Sequence, residues 1–215
     1  MQWRTHLRNR DYVSELSIWE DTARKQPENP RVQNVLGGRL LLAGDWEGAM
    51  RHLDRAIALR PDYPEACINR GSAFMQRGWY GLAQLEYDRA IELQPNSAEA
   101  YNNRGVSYHR RGRYDRAVAD YDRALALWPD YSEAYNNRGV SYNQLARYDR
   151  AVADYSRAIA LRANYAEAYN NRALSYYHLS DYERAWADVE ECRRLGLSPD
   201  AEFLQELVTA SGRTR

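Results

Sequence analysis

The amino-acid sequence repeats itself every 34 residues, and few folds satisfy such a rule. Gly37, Gly71, Gly105, Gly139 and Ala173 are spaced by 34, and so are Ala49, Ala83, Ala117, Ala151 and Ala185. Pro27, Pro61, Pro95 and Pro129 keep the same step, with Ala163 and Leu197 in place of proline further on. The stretch EAYNNRGVSY at 99–108 returns unchanged at 133–142 and as EAYNNRALSY at 167–176. A period of this length marks one supersecondary unit that cannot bury its own apolar face and must stack on copies of itself. The spacing predicts units at residues 30–63, 64–97, 98–131, 132–165 and 166–199, after a partial unit over 1–29 and before a capping helix and tail over 200–215. Positions 1 to 34 run from the first residue of each unit.

Each unit reads as two helices. In the third, helix A is expected from Ser97 or Ala98 to about Arg111, and helix B from about Tyr114 to Trp128. Gly112 supplies a left-handed residue that ends helix A, and Pro129 stops helix B because it lacks an amide and clashes with the turn before it. Gly44 and Gly78 mark the same bend, but Ala146 and Ser180 replace glycine later. That replacement predicts a bend with no strict need for positive φ. Tyr101, Gly105 and Tyr108 share one face of helix A, and Ala117, Tyr121 and Ala124 one face of helix B. The small residues at positions 8 and 20 let the two helices approach. The expected architecture is all-α, with no strands.

At this point the chain resembles the tetratricopeptide repeat. The family pattern is aromatic at position 4, Gly at 8, aromatic at 11, Ala at 20, aromatic at 24, Ala at 27 and Pro at 32. The third unit carries it as Tyr101, Gly105, Tyr108, Ala117, Tyr121, Ala124 and Pro129, and the fourth as Tyr135, Gly139, Tyr142, Ala151, Tyr155 and Ala158. The first unit departs with Gln33 and Leu40, and the fifth with Ala173, Val189 and Cys192. The resemblance implies a right-handed α-solenoid in which helix A lines a concave groove. A second, local resemblance lies in RNRDYVSELSIWEDTARKQPENPR: Arg8, Asn9, Ser14, Glu15, Trp19, Glu20, Asp21 and Pro27 to Asn29 are similar to the segment joining the membrane portion to the repeats in multi-spanning glycosyltransferase-like proteins. It implies a soluble accessory domain of such an enzyme as the alternative function.

Bulk composition narrows the function. Thirty basic and thirty acidic side chains cancel, which argues against a general nucleic-acid or anionic-membrane binder. No apolar run reaches the ~20 residues that cross a bilayer, and the N-terminus has no apolar core of a secretory signal. A cytoplasmic location is expected, or an extracytoplasmic one if the chain belongs to a membrane enzyme. Cys67 and Cys192 read as small buried apolar residues. His6, His52, His109 and His178 fall in different units with no metal-ligand spacing, so neither metal nor other cofactor is expected. Arg104, Arg138 and Arg172, like Asp120, Asp154 and Asp188, recur once per unit. A catalytic centre is single; repeated charges read as structural partners, and no enzyme activity is expected.

The asparagines are the unexplained part. The six at 102, 103, 136, 137, 170 and 171 cost helix stability of about 4 kcal/mol relative to alanine, at up to ~0.7 each. With Tyr101 at zero and ~100° per residue, Asn102 and Asn103 point away from the packed face. The row Asn69, Asn103, Asn137 and Asn171 looks like the position-6 asparagine ladder with which other tetratricopeptide superhelices hold an extended peptide by its main chain; the other readings are a tie to the neighbouring repeat, or inheritance by duplication. Asn102, Asn136 and Asn170 lie beside it. Units three and four differ at 10 of 34 positions, four of them consecutive at the end of helix A. His109, Arg110, Asn143, Gln144, Tyr177 and His178 are therefore the candidates for specificity. The carboxylate-clamp kind of tetratricopeptide domain needs Lys or Arg at positions 2 and 6; Glu65, Glu99, Glu133 and Glu167 at position 2, with Asn at position 6, argue against it and favour a neutral, basic or main-chain-read ligand. The expected function is a scaffold binding an extended segment of a protein partner in the groove. Self-association through the N-terminal half repeat, with Trp3 and Trp19 open, is a further alternative.

The C-terminal stretch from Ser198 reads as a helix capped by Ser198, with Pro199 first and Asp200 in the first turn. Phe203, Leu204 and Leu207 cover the last unit while Glu202, Gln205 and Glu206 face water.

Overall fold

In the computed structural model, which describes residues 15–213, helix starts keep the step seen in the sequence. Residues 15–25 form α1. The A helices are α2 (Pro30–Ala43), α4 (Pro64–Gln76), α6 (Ala98–Arg110), α8 (Ser132–Gln144) and α10 (Ala166–His178). The B helices are α3 (Trp46–Leu59), α5 (Tyr80–Leu93), α7 (Tyr114–Leu127), α9 (Tyr148–Leu161) and α11 (Tyr182–Arg194), and α12 is Ala201–Ser211. No strand occurs among the described residues. The chain divides into two compact units, Met1–Ser107 and Tyr108–Arg215. In the first, α2 packs on α3 and α4 on α5, with α4 also against α2 and α3. In the second, α7 meets α8, α8 meets α9, α9 meets α10, α10 meets α11, and α11 meets α12.

The bend between A and B helices is one motif made five times. The amides of Asp45, Trp79, Arg113, Arg147 and Asp181 donate to the carbonyls five residues back, those of Leu40, Phe74, Tyr108, Tyr142 and Tyr176, every bond 2.9 Å long. This closure requires a left-handed residue just before the donor. Gly44, Gly78 and Gly112 supply it at φ 84°, 72° and 70°. Ala146 and Ser180 take the same conformation, at φ 53° and 60°. The bend therefore does need positive φ. Fixed helix geometry on both sides outweighs the local steric cost of a Cβ, ~1–2 kcal/mol.

Close approach of the paired helices explains the glycine column. A Cβ on Gly71 would stand 2.6 Å from Tyr87 Cε1, one on Gly139 would stand 2.7 Å from Tyr155 Cε1, and one on Gly37 would stand 2.7 Å from Leu53 Cγ. Ala173 tolerates its methyl because position 24 of that repeat is Val189, which packs in the same fully buried cluster. The fifth repeat's two departures are thus one compensated exchange. Burial pushes the Tyr87 hydroxyl up to about 12, against the bond to Ser72.

Arginine at position 7 ties consecutive B helices together. Arg138 donates through Nε and Nη2 to both carboxylate oxygens of Asp154 (2.8 and 2.6 Å), while Nη1 reaches Asp122 on the preceding B helix. Arg172 forms the same fork on Asp188 (2.7 and 2.7 Å) and reaches back to Ser156 at 2.9 Å. Arg104 bonds Asp88 at 2.7 Å, and Arg70 joins Glu86 and Asp54, each at 2.8 Å. Burial works against charge on Arg138, but the bonds to Asp154 and Asp122 outweigh it and hold the guanidinium more firmly protonated. The paired arginines and acids anticipated from their period are structural partners in Arg138–Asp154 and Arg172–Asp188, and each arginine also reaches one repeat back.

The ends follow the sequence less closely. α12 is capped by Asp200, which accepts from the amides of Glu202 (2.9 Å) and Phe203 (3.1 Å), not by Ser198. A carboxylate at the cap also favours the helix dipole. Phe203 and Leu207 are buried, and Glu202, Gln205 and Glu206 are exposed. Trp19 is half-buried and packs with Leu16 against Ala23, Val32 and Leu36, so it is not open; Trp3 and the rest of the partial unit before residue 15 lie outside the described residues. Cys67 and Cys192 are fully buried free thiols.

Candidate protein-interaction surface

Position 5 and position 6 amides on successive A helices meet each other. In the first unit Asn69 Nδ2 donates to Asn34 Oδ1 at 2.8 Å, and Asn34 Nδ2 lies 3.5 Å from the Tyr63 hydroxyl. In the second unit Asn171 Nδ2 donates to Asn136 Oδ1 at 3.1 Å. Asn102 donates to its neighbour Asn103 at 3.2 Å. Position 5 is consequently not on an open face: Asn34, Asn102 and Asn136 are 6%, 5% and 8% exposed. The helical wheel places them away from the A–B seam but does not show that the flank near 100° faces the next A helix, as Asn136 faces Asn171. Asn69, Asn103, Asn137, Asn170 and Asn171 are half-buried. Asn34 belongs to this set and was missed; its position-5 place after Gln33 was the available signal.

The divergent residues split in two. His109 Nδ1 and Ser141 Oγ share a hydrogen bond at 2.9 Å. Ser175 donates to Asn143 Oδ1 at 2.8 Å, and Asn143 Nδ2 donates to the Tyr155 hydroxyl at 3.2 Å. Position 12 therefore joins position 10 of the following A helix. Tyr177, the position-12 residue of the fifth repeat, is followed by α12 and packs edge-on against its Phe203 at 5.8 Å. Arg110, Gln144 and His178 are exposed, with the His178 ring stacked on Tyr148 at 4.5 Å. Burial first, and then the Arg110 charge, holds the His109 imidazole below its usual range.

Two features of the A helices are electrostatically unsatisfied. Asn170 Oδ1 is buried and has no hydrogen-bond partner among the described residues. The Glu99 carboxyl is raised, first by partial desolvation and then by the like charge of Glu65 one repeat before it. Among the described residues no group of His, Cys, Asp and Glu could hold a metal ion, and no helix is long and apolar enough to cross a membrane.

Family models described as tetratricopeptide or TPR repeat match residues 37–78 and 71–112, 96–164 and 136–201. The chain is a tetratricopeptide repeat protein. No curated protein sequence matches it. Among solved structures it is similar to MamA (24% identity, TM-score 0.66, covering 74% of this chain and 94% of that one). It is also similar to pilF of Pseudomonas aeruginosa (22%, 0.78, 87% and 86%). A third neighbour is YrrB, described as a TPR protein with an unusual peptide-binding site (16%, 0.65, 91% and 98%). These likenesses establish the fold. The matched family segments begin at residue 37, so the glycosyltransferase-like resemblance of the N-terminal stretch gains no support from them. Tetratricopeptide folds generally serve as non-enzymatic scaffolds for protein–protein interaction, and that is the role this fold supports.

Proposed function

We propose that the chain is a non-catalytic scaffold whose A helices hold an extended peptide segment of a protein partner, reading its main chain with asparagine amides. The observation that carries this reading is Asn170. Its Oδ1 is buried without a donor, and an unmet buried acceptor costs ~1–3 kcal/mol. Asn170 as a residue is only half-buried, so a turn of its amide on binding brings Oδ1 to a peptide N–H, which supplies the missing donor. Asparagine offers four hydrogen-bonding sites, and the Asn171–Asn136 bond uses one on each partner. Stacking and ligand contact are therefore compatible in the same row. Arg110, Gln144 and His178 then set specificity at the exposed helix ends. The acidic position-2 residues, with Glu99 already strained by Glu65, favour a neutral or basic segment. The peptide-binding site in the description of YrrB agrees in kind.

The test separates the two asparagine roles. A random peptide display library is selected on the intact chain, and the enriched peptide is measured by calorimetry. Asn170→Ala should weaken it about threefold to tenfold, the loss of one neutral hydrogen bond, with the melting temperature unchanged. Asn171→Ala should lower the melting temperature, because it removes the bond to Asn136. No enriched peptide, or equal affinity in Asn170→Ala, would sink the proposal.

A further inference from the structure

The first repeat lacks the arginine tie, and a cleft stands in its place. Repeats three to five read Tyr, Arg and Asp at positions 4, 7 and 23, whereas repeat one reads Gln33, Leu36 and His52. In the second unit the guanidinium fills this space beside the position-4 ring: Arg138 lies 5.5 Å from Tyr135, and Arg172 lies 5.5 Å from Tyr169. In repeat one, α1, α2 and α3 instead enclose a cleft of about 780 Å³ that includes Gln33, Leu36 and His52. Ala23, Pro27 and Leu36 give it apolar walls.

The charge at this place has also changed sign. Positions 22 and 23 are Ala–Asp in repeats three to five and Arg51–His52 here. Four charged residues line the cleft: Glu20 and Arg24 from α1, Arg51 and Arg55 from α3. Arg24 pairs with Asp21 and Arg55 with Glu28. Arg51 has no hydrogen bond or ion pair among the described residues. Gln33 Nε2 donates to the Pro27 carbonyl at 3.0 Å, which leaves its Oε1 to accept from His52 Nδ1 at 2.6 Å. That network assigns the proton to Nδ1, so Nε2 is the ring nitrogen left for a ligand.

We infer that this cleft binds a carboxylate carried on an apolar stem, held between Arg51 and His52. One arginine without an ion pair among the described residues and one imidazole, with Glu20 opposite, match a single negative charge better than a dianion. The apolar walls accept the stem. Burial first and the Arg51 charge second hold His52 below its usual range, while Asp45 and Glu20 oppose them. A bound carboxylate offsets Arg51 and can accept a hydrogen bond from protonated Nε2, so it raises that range.

The experiment follows the His52 ring by NMR through a pH titration of the full chain, assigned with His52→Gln. The probes are phenylacetate, phenylacetamide, phenyl phosphate and a capped peptide carrying one Glu between leucines. Phenylacetate should move the His52 midpoint upward and bind at least tenfold more tightly than the amide and more tightly than the phosphate. Arg51→Ala, an exposed change, should weaken it about tenfold. The combined Gln33→Tyr, Leu36→Arg and His52→Asp chain should lose binding and melt at higher temperature. Tighter binding of the peptide than of phenylacetate assigns the carboxylate to a protein side chain; the reverse assigns it to a free acid. Equal affinity for acid and amide, stronger binding of the phosphate, an unmoved His52 midpoint, or undiminished binding in Arg51→Ala overturns the inference.

Discussion

Arg70 and Arg138 hold the same position in two repeats; the acid each meets at position 23 differs by one methylene, and the position-4 residue is Cys67 in one and Tyr135 in the other. Arg138 meets Asp154 as a two-bond fork. Arg70 meets the longer Glu86 through one bond, and both Arg70 Nε and Glu86 Oε2 are buried without hydrogen-bond partners among the described residues. Acid at position 23 is therefore not enough: the guanidinium's planar donor pair is matched by Asp154 and only half matched by Glu86.

The largest expected effect comes from breaking the fork. Arg138→Ala leaves Asp154, whose side chain is 8% exposed, without its counter-charge, and should cost about 3 kcal/mol in urea denaturation. Next is Gly139→Ala. Its Cβ would meet Tyr155 at 2.7 Å, a loss of ~1–3 kcal/mol, and adding Tyr155→Val should recover much of it by copying Ala173 and Val189. Glu86→Asp sharpens the comparison in the other direction. If reach is the defect, it should gain about 1 kcal/mol, and no gain would reject that account. Ala146→Gly and Ser180→Gly should each gain about 0.5–1 kcal/mol by relieving left-handed strain.

The smallest effect is a pH dependence. His52 and His109 have folded-state values below 6.5. The unfolded chain therefore takes up protons first. Stability should be level above about pH 6.5 and fall as pH drops below it, towards the folded values. Urea midpoints across that window, compared with those of His109→Gln, would show it.

What was legible in the sequence was whatever one helix pair determines. The glycine, alanine and proline columns report contacts inside a repeat, and they gave the helix pairs directly. Ala146 and Ser180 misled because residue preference was read as conformational need, whereas the 2.9 Å closure to Tyr142 and Tyr176 fixes the backbone whatever the side chain. Asn136 was assigned to an open face because a helical wheel has one partner and this helix has several. The cleft of repeat one was also present in the letters. Gln33 was visible as a departure, but its link to Leu36, His52 and Glu20 needed the arginine's backward reach, which no single period shows.

That backward reach bears on how such a gene can change length. Arg172 meets Ser156, and Arg138 meets Asp122, at the same place on the preceding B helix. Removing residues 132–165 would bring Arg172 to Asp122 instead of Ser156, an acid in place of a hydroxyl. Duplicating the same segment would set the second copy's arginine on a serine. Recombination in steps of 34 residues thus leaves each new junction with a bonding partner, while any other step leaves an arginine facing the wrong side chain. The array carries its own rule for which insertions and deletions can persist.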